Sequence, residues 1–322
     1  MLKLNIPSEE TRYDILIIGA GPSGLTAAMY GARADLKVCF IEGSTPGGKV
    51  TSTDKIENYP GFETIVGADL ALNMFQQANK LKAQYKYGWV ESINKDETNH
   101  IFIVKTKKNE TYYAKVVIIA TGMKERKLGL NNEDKFEYKG ISYCAVCDGS
   151  LYQNKDVVVI GGGNSAAQES LYLANICNKV YLVHRRNEFR CEAILLNQIK
   201  NKENIEILTP YIAKEYIGEQ NITGLIVKNV DTSEERLLNV ACIFPYIGFN
   251  PNTQFLTNLD ILNEQKQVIT DQSKRTKIPG LYAIGDVTQN NYRQITTANS
   301  DGTIAALDAI DYINKNANYW SW

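Results

Sequence analysis

The sequence predicts an α/β fold made of two similar units, and three observations lead to this prediction. Apolar, β-branched runs at residues 13–18 and 156–160 have the composition of buried parallel strands. A glycine-rich turn follows each run at once, and a helical pattern follows each turn. A close pair of cysteines, Cys144 and Cys147, stands just before the second unit. Strand, glycine-rich turn and helix in this order are typical of Rossmann-like nucleotide-binding domains.

Length and composition place the chain among ordinary globular proteins. Its 322 residues include 44% hydrophobic and 22% charged residues, and this length allows roughly two domains. The net charge of −1 provides no electrostatic attraction for nucleic acid or for an anionic membrane, so neither partner is expected. Residues 1–7 lack the apolar segment of a secretory signal, and no apolar run approaches the roughly 20 residues of a membrane span. A cytoplasmic location is therefore expected.

The first glycine-rich turn has the G-x-G-x-x-G spacing of a dinucleotide-binding fingerprint. Its glycines permit a tight turn, close approach of a pyrophosphate and close packing of the helix on the strand. Glu42 ends the next predicted strand, where a ribose hydroxyl needs an acceptor. This unit fits FAD or NAD. The fingerprint residues predicted to bind the dinucleotide are Gly19, Gly21, Pro22, Ser23 and Gly24.

The second glycine-rich turn has the variant spacing G-x-G-x-x-A and a different charge at the next strand end. Where the first unit has an acid, this unit has His184, Arg185 and Arg186, followed by Arg190. Guanidinium groups suit the 2′-phosphate of NADPH, although a solvated basic face and a structural histidine are the alternatives. The turn residues predicted to bind are Gly161, Gly163, Asn164, Ser165 and Ala166.

The cysteine pair has the spacing of a redox-active disulfide. Residues three apart on a helical turn are neighbours, so Cys144 and Cys147 could form a disulfide without large strain. A zinc site is one alternative, but the chain has two histidines and no second close cysteine pair, so no metal is expected. Inert buried thiols are another. Asp148 follows the pair as a helix cap or a proton donor. Placed between nucleotide units, the pair suggests electron flow from a nicotinamide through a flavin to a disulfide.

With these residues in view, the chain resembles the low-molecular-weight (bacterial-type) thioredoxin reductases. The resemblance extends over nearly the whole chain, and the motifs occur in the family's order. Besides the two fingerprints, they are Gly47-Gly48 and the segments at residues 57–61, 120–122, 144–149, 184–190, 276–286 and 292–294.

The resemblance implies a split FAD-binding domain at residues 1–124 and 251–322, with an NADPH-binding domain inserted at residues 125–250. It also implies that Cys147 reacts with the flavin, that Asp148 supplies a proton and that Cys144 exchanges with thioredoxin or a thioredoxin-like protein. A homodimer is implied, as is domain rotation about crossings near Gly122 and Gly248. The further residues that the resemblance assigns to FAD are Gly47, Gly48, Lys49, Asn58, Thr121, Gly122, Gly285, Asp286, Arg293, Gln294 and Ile295.

Several positions depart from the family's commoner pattern. Lys49 stands where many members have Gln, and Gln168 replaces a frequent Glu. Asn299-Ser300 replaces a pair of small residues, and Ser150-Leu151 stands where some members have aromatic residues that contact thioredoxin. Two other functions stay open: a related flavoprotein disulfide reductase with a different dithiol or protein acceptor, and a flavin redox sensor without turnover.

Overall fold

The computed structural model describes residues 8–53, 56–137, 139–290, 292–320 and 322, and of Cys147 it describes only the backbone. The chain separates into two compact units. The first comprises Met1–Lys124 and Pro251–Trp322, and the second comprises Glu125–Asn250. Within the described residues no helix combines the length and the apolar composition that crossing a bilayer requires.

The first unit is built on a seven-stranded sheet. Its strands are β1 (Arg12–Ile18), β2 (Val38–Glu42), β3 (Gln84–Tyr87), β4 (Val90–Asp96), β5 (Ile101–Thr106), β6 (Thr111–Ile119) and β16 (Leu281–Ala283). They follow the order β3-β2-β1-β6-β5-β4, with β16 also paired to β6. The pairs among β3, β2, β1 and β6 are parallel, as is β6 with β16, whereas β4, β5 and β6 are antiparallel.

Three helices accompany this sheet: α1 (Pro22–Arg33), α2 (Gly67–Lys80) and α7 (Ile295–Lys315). One face of the sheet shares a hydrophobic core with small residues of α1 and α7, including Ala28 and Ala305. A Cβ on Gly302 of α7 would lie 2.3 Å from the Ser23 carbonyl oxygen of α1, so the two helices approach closely only because this residue is glycine. Helix α1 begins four residues after the end of β1, and β2 runs parallel to β1. The carboxyl ends of both strands therefore lie beside the start of α1.

The second unit combines two smaller sheets. The parallel sheet has the order β10-β9-β8-β14, and the antiparallel sheet has the order β11-β12-β13. The parallel strands are β8 (Asp156–Ile160), β9 (Lys179–Val183), β10 (Ile205–Leu208) and β14 (Cys242–Pro245), and the antiparallel strands are β11 (Tyr211–Gly218), β12 (Ile222–Asn229) and β13 (Glu235–Leu238). The helices are α3 (Glu133–Phe136), α4 (Ala145–Asp148), α5 (Asn164–Ala174) and α6 (Ala193–Lys200).

The chain passes between the units at two short strands, β7 (Met123–Glu125) and β15 (Phe249–Pro251), which form a two-stranded sheet. Each is preceded by a glycine with positive φ, +61° at Gly122 and +117° at Gly248. L side chains rarely adopt this backbone conformation, so both positions favour glycine. Their role as hinges stays a prediction.

Candidate active site

The fingerprint turn of the first unit is shaped by steric limits on its glycines. Gly19 has φ +106°, and a Cβ on Gly24 would lie 2.1 Å from the Gly19 carbonyl oxygen. Either glycine could be replaced only if the backbone moved. A Cβ on Gly21, in contrast, would meet no atom within 4 Å. The space beside Gly21 is thus open to the close approach of a pyrophosphate.

The start of α1 is free of a side-chain cap. Gly21 is its N-cap and Pro22 is its first residue, so neither supplies a capping side chain. The N–H groups of a first helical turn have no intrahelical acceptors, and together with the helix dipole they favour phosphate. Gly285 joins this region, because a Cβ there would lie 2.7 Å from Ser23 Oγ. The fold therefore brings the late motif of the chain against the first fingerprint.

Glu42 is held at the end of β2 by backbone donors. One carboxylate oxygen accepts the Ala20 N–H at 2.9 Å, and the other accepts the Ser44 N–H at 2.7 Å. These bonds fix the carboxylate beside the fingerprint turn. Each oxygen has a second lone-pair direction, so the group can still accept ribose hydroxyls.

The Gly47-Gly48 loop reaches the same turn. The Gly47 N–H donates to the Ala20 carbonyl at 2.7 Å, and both glycines have positive φ. The loop leads into the 3₁₀ helix Gly48–Ser52, on which Lys49 is exposed. The departure at Lys49 thus places a positive charge next to the loop.

Asp286 is the partly buried acid of the late motif. Burial raises the pKa of its carboxyl, and the positive charges of Arg293 and Lys49 oppose that rise. In the part of the chain that the structure describes, its side chain takes part in no hydrogen bond. A partly buried carboxylate without a protein donor fits an acceptor for ligand hydroxyls, which is compatible with the predicted assignment of Asp286 to FAD.

The remaining residues predicted for FAD also lie in the first unit. The Asn58 amide donates to the Gln294 side chain at 3.2 Å, and Gln294 caps α7, whose first residue is Ile295. Thr121 donates from Oγ1 to the Asn252 carbonyl at 2.8 Å, and the Asn252 amide donates back at 2.9 Å. Asn252 belongs to neither fingerprint, so no sequence motif indicated its part in this contact.

Asn299, one of the departures from the family pattern, links three segments of the first unit. Its amide donates to the Tyr59 hydroxyl at 3.0 Å, and its carbonyl oxygen accepts the Thr26 hydroxyl at 3.2 Å. The asparagine therefore ties α7 to α1 and to the segment that contains Asn58. A pair of small residues could not make these bonds.

The second fingerprint repeats the open geometry of the first. A Cβ on Gly163 would meet no atom within 4 Å, and α5 begins at Asn164 with no side-chain cap from Gly163. Asn164 is held by Glu192, because its amide donates to that carboxylate at 2.8 Å and its carbonyl oxygen accepts the Glu192 N–H at 2.9 Å. Glu192 lies outside every motif, so the sequence alone did not indicate this contact.

The arginines at the end of β9 lie beside this turn. Arg185, Arg186 and Arg190 are exposed, and the Arg190 N–H donates to the Gly162 carbonyl at 2.7 Å. Over the described ranges, none of the three guanidinium groups forms an ion pair with a carboxylate. Cations close to a phosphate-binding turn, with their donors available, fit the 2′-phosphate of NADPH.

His184 occupies a different environment from these arginines. Its imidazole is buried, lies 3.1 Å from the Glu188 carbonyl oxygen and packs so closely on the turn that a Cβ on Gly162 would lie 2.3 Å from the ring. Burial lowers the pKa of His184, and the neighbouring arginines lower it further. The imidazole is therefore uncharged at neutral pH, and it packs against the second glycine-rich turn at Gly162.

The cysteine motif forms a short helical turn in the second unit. Helix α4 begins directly after Cys144, which is disulfide-bonded. The Ala145 N–H, at the start of this helix, donates to the hydroxyl of the partly buried Tyr246 at 3.1 Å. The sulfur of Cys147 lies outside the described side chains, so its predicted reaction with the flavin stays a prediction.

Ser142, which belongs to none of the predicted motifs, connects Asp148 to the cysteine motif. Its buried hydroxyl donates to the Asp148 carboxylate at 2.6 Å and accepts the Cys144 N–H at 3.1 Å. Asp148 is the N-cap residue of the 3₁₀ helix Gly149–Tyr152, but its side chain makes no capping hydrogen bond there. Its carboxylate is instead positioned by a hydroxyl that also accepts the backbone N–H of Cys144.

Other cysteines and candidate metal ligands do not form a second site. Cys39, Cys177, Cys191 and Cys242 are free thiols, and burial raises the pKa of Cys39 and Cys242 to about 12 and that of Cys177 to about 11. Such thiols are poor nucleophiles at neutral pH. Among the described residues, no group of three or more His, Cys, Asp and Glu side chains is arranged to hold a metal ion.

Comparison with known proteins gives consistent matches over almost the full length. The family model "Pyridine nucleotide-disulphide oxidoreductase" matches residues 13–302. The thioredoxin reductase of Mycoplasma pneumoniae is 43% identical over 317 residues, which cover 97% of this chain and 100% of that protein. The crystal structure of thioredoxin reductase from Lactococcus lactis (FR conformation) has a TM-score of 0.91 and 39% identity, covering 94% of this chain and 99% of that one.

Proposed function

Because the chain belongs to the pyridine nucleotide-disulphide oxidoreductase family, we propose that it is an NADPH-dependent thioredoxin-disulfide reductase. The observation that carries this proposal is the disulfide-bonded Cys144 beside a positioned carboxylate, Asp148, in the same unit as an arginine-flanked fingerprint. The acceptor is thioredoxin or a thioredoxin-like protein, as the names of the relatives suggest. A homodimer and a cytoplasmic location belong to the same proposal.

FAD and NADPH are the cofactors of this family, and the two units fit them. The first unit offers the open space at Gly21, the fixed Glu42 carboxylate and the Asp286 carboxylate. The second offers the open space at Gly163 and the exposed arginine cluster that starts at Arg185. A FAD bound in the first unit would supply the two-electron redox chemistry that links a nicotinamide to a disulfide.

The chemistry of the protein's own groups follows from this assignment. Reduction breaks the S–S bond of the Cys144–Cys147 pair and takes up an electron pair and two protons. Asp148 supplies a proton to the dithiol and is held in place by Ser142. The Cys144 thiolate then attacks the partner's disulfide and forms a mixed disulfide. Attack by Cys147 on the Cys144 sulfur restores the original pair and releases the reduced partner.

The first test is an anaerobic titration of the purified FAD-loaded protein with NADPH, followed by addition of oxidised thioredoxin. We expect NADPH to bleach the flavin absorbance, uptake to exceed the two electrons that a flavin alone accepts, and thioredoxin to restore the absorbance. The extra uptake reports a disulfide in electronic contact with the flavin.

The other outcomes identify the alternatives. A flavin that NADPH bleaches but thioredoxin does not restore would indicate another acceptor or a redox sensor. A flavin that responds only to a donor other than NADPH would contradict the assignment of the arginine cluster.

A further inference from the structure

An exposed tryptophan lies next to the predicted ribose-binding acid. Trp89 stands between β3 and β4, and 55% of its surface is exposed. Its indole covers the backbone of Gly43, because a Cβ on Gly43 would lie only 2.3–2.6 Å from three ring atoms. Gly43 directly follows Glu42, so the indole lies one residue beyond the carboxylate.

The backbone fixes this arrangement. Strands β2 and β3 are parallel and place Tyr87 opposite Glu42. The Gly88 N–H then donates to the Glu42 carbonyl at 3.0 Å, and the Trp89 carbonyl accepts the Lys107 N–H at 2.8 Å. These two hydrogen bonds fix the backbone of Gly88 and Trp89 on both sides, and this places the indole at the carboxyl end of β2.

We propose that Trp89 binds the adenine ring of FAD by stacking. In a nucleotide the base is attached to the ribose carbon next to the one that bears the 2′-hydroxyl, the group for which Glu42 is the acceptor. Consecutive Cα atoms are about 3.8 Å apart, so the base of a ribose held by Glu42 lies within reach of the residue packed on Gly43. An aromatic side chain that is more than half exposed, as Trp89 is, offers a stacking surface to a purine.

The neighbouring Tyr87 shows why exposure alone does not carry this inference. Tyr87 is exposed to a similar degree, 56%, but the Lys108 ammonium lies 5.0 Å from its ring centroid. Trp89 is instead packed against the strand end that carries the ribose acceptor. Tyr87 is thus a matched control, an exposed aromatic residue one glycine away from Trp89.

The experiment measures cofactor affinity in the full-length apoprotein and rests on the part of the proposed function that places FAD in the first unit. For Trp89→Ala we expect the Kd for FAD to rise about 5- to 30-fold, within the range of one base–aromatic stack. The Kd for FMN, which lacks the adenosine, should stay unchanged. Tyr87→Ala should alter neither Kd, and Trp89→Phe should restore most of the affinity.

Titration with ADP gives a second readout that involves no flavin. ADP should quench the tryptophan fluorescence of the wild-type apoprotein, and Trp89→Phe should remove that response. Equal weakening of FAD and FMN binding, or FAD affinity within twofold of wild type, would overturn the proposal. A wild-type protein that binds FAD through Trp89 but does not reduce thioredoxin would refute only the proposed reductase function.

Discussion

Replacing Ser142 by alanine tests the contact between the proposed proton donor and the cysteine motif. The substitution removes a single hydroxyl that donates to Asp148 at 2.6 Å and accepts the Cys144 N–H at 3.1 Å. The side chain is 4% exposed, so water has little access to replace either bond. Ser142→Ala should therefore release the carboxylate and leave the partly buried Cys144 N–H without its side-chain acceptor.

The expected size of the effect follows from these two bonds. A hydrogen bond to a charged group contributes about 1.5–3 kcal/mol. If the whole loss falls on the step in which the disulfide is reduced, the rate constant drops by about 10- to 150-fold, at 1.36 kcal/mol for each factor of ten. Reduction of the flavin by NADPH does not involve Asp148 and should keep its rate.

The assay is a single-turnover stopped-flow experiment under anaerobic conditions, with flavin absorbance as the signal. One equivalent of NADPH first bleaches the flavin, and the internal disulfide then restores it, so both steps are observed in one trace. Ser170→Ala is the matched control. It removes another buried hydroxyl of the same unit, one that donates to the Ala166 carbonyl at 2.7 Å.

Two results would contradict the proposal that the Ser142 hydroxyl positions Asp148. If Ser142→Ala restores the flavin at a rate within twofold of wild type, the hydroxyl does not position the proton donor. If Ser170→Ala slows the same step equally, the effect reports general destabilisation of the unit. A thermal melt of both variants separates these cases, because it measures how far each substitution destabilises the unit: Ser142→Ala removes two hydrogen bonds and Ser170→Ala removes one.

Three further predictions test other parts of the site. Cys147→Ser should abolish thioredoxin reduction but retain flavin reduction by NADPH, and near-normal turnover with thioredoxin would contradict the assignment. Arg185→Ala should lower kcat/KM for NADPH by about 1.5–3 kcal/mol in transition-state binding and leave NADH almost unaffected; an equal loss with both cofactors would exclude a 2′-phosphate contact. Burial lowers the pKa of His184, so the unfolded chain binds a proton that the folded chain does not. Stability should therefore fall as the pH drops below about 6.5, and His184→Gln should reduce that slope in urea unfolding measured at several pH values.

The parts of the fold that local chemistry dictates were predictable from the sequence. Both fingerprints form the predicted strand, turn and helix, because the tight turn at Gly19 and the packing at Gly24 permit only glycine. Glu42 ends its strand as predicted and faces the turn. The family resemblance was likewise correct, since its motifs are short and keep a fixed order along the chain.

The sequence by itself determined which residue types could bind phosphate, accept a ribose hydroxyl or form a disulfide, because these requirements act over a few neighbouring positions. Only the tertiary structure decided which side chains outside the motifs support them. Asn299 joins α7 to Tyr59, and Ser142 positions Asp148. Trp89 covers Gly43 across two strands. Contacts of this kind depend on how strands, loops and helices pack, and neither periodicity nor motif spacing encodes that packing.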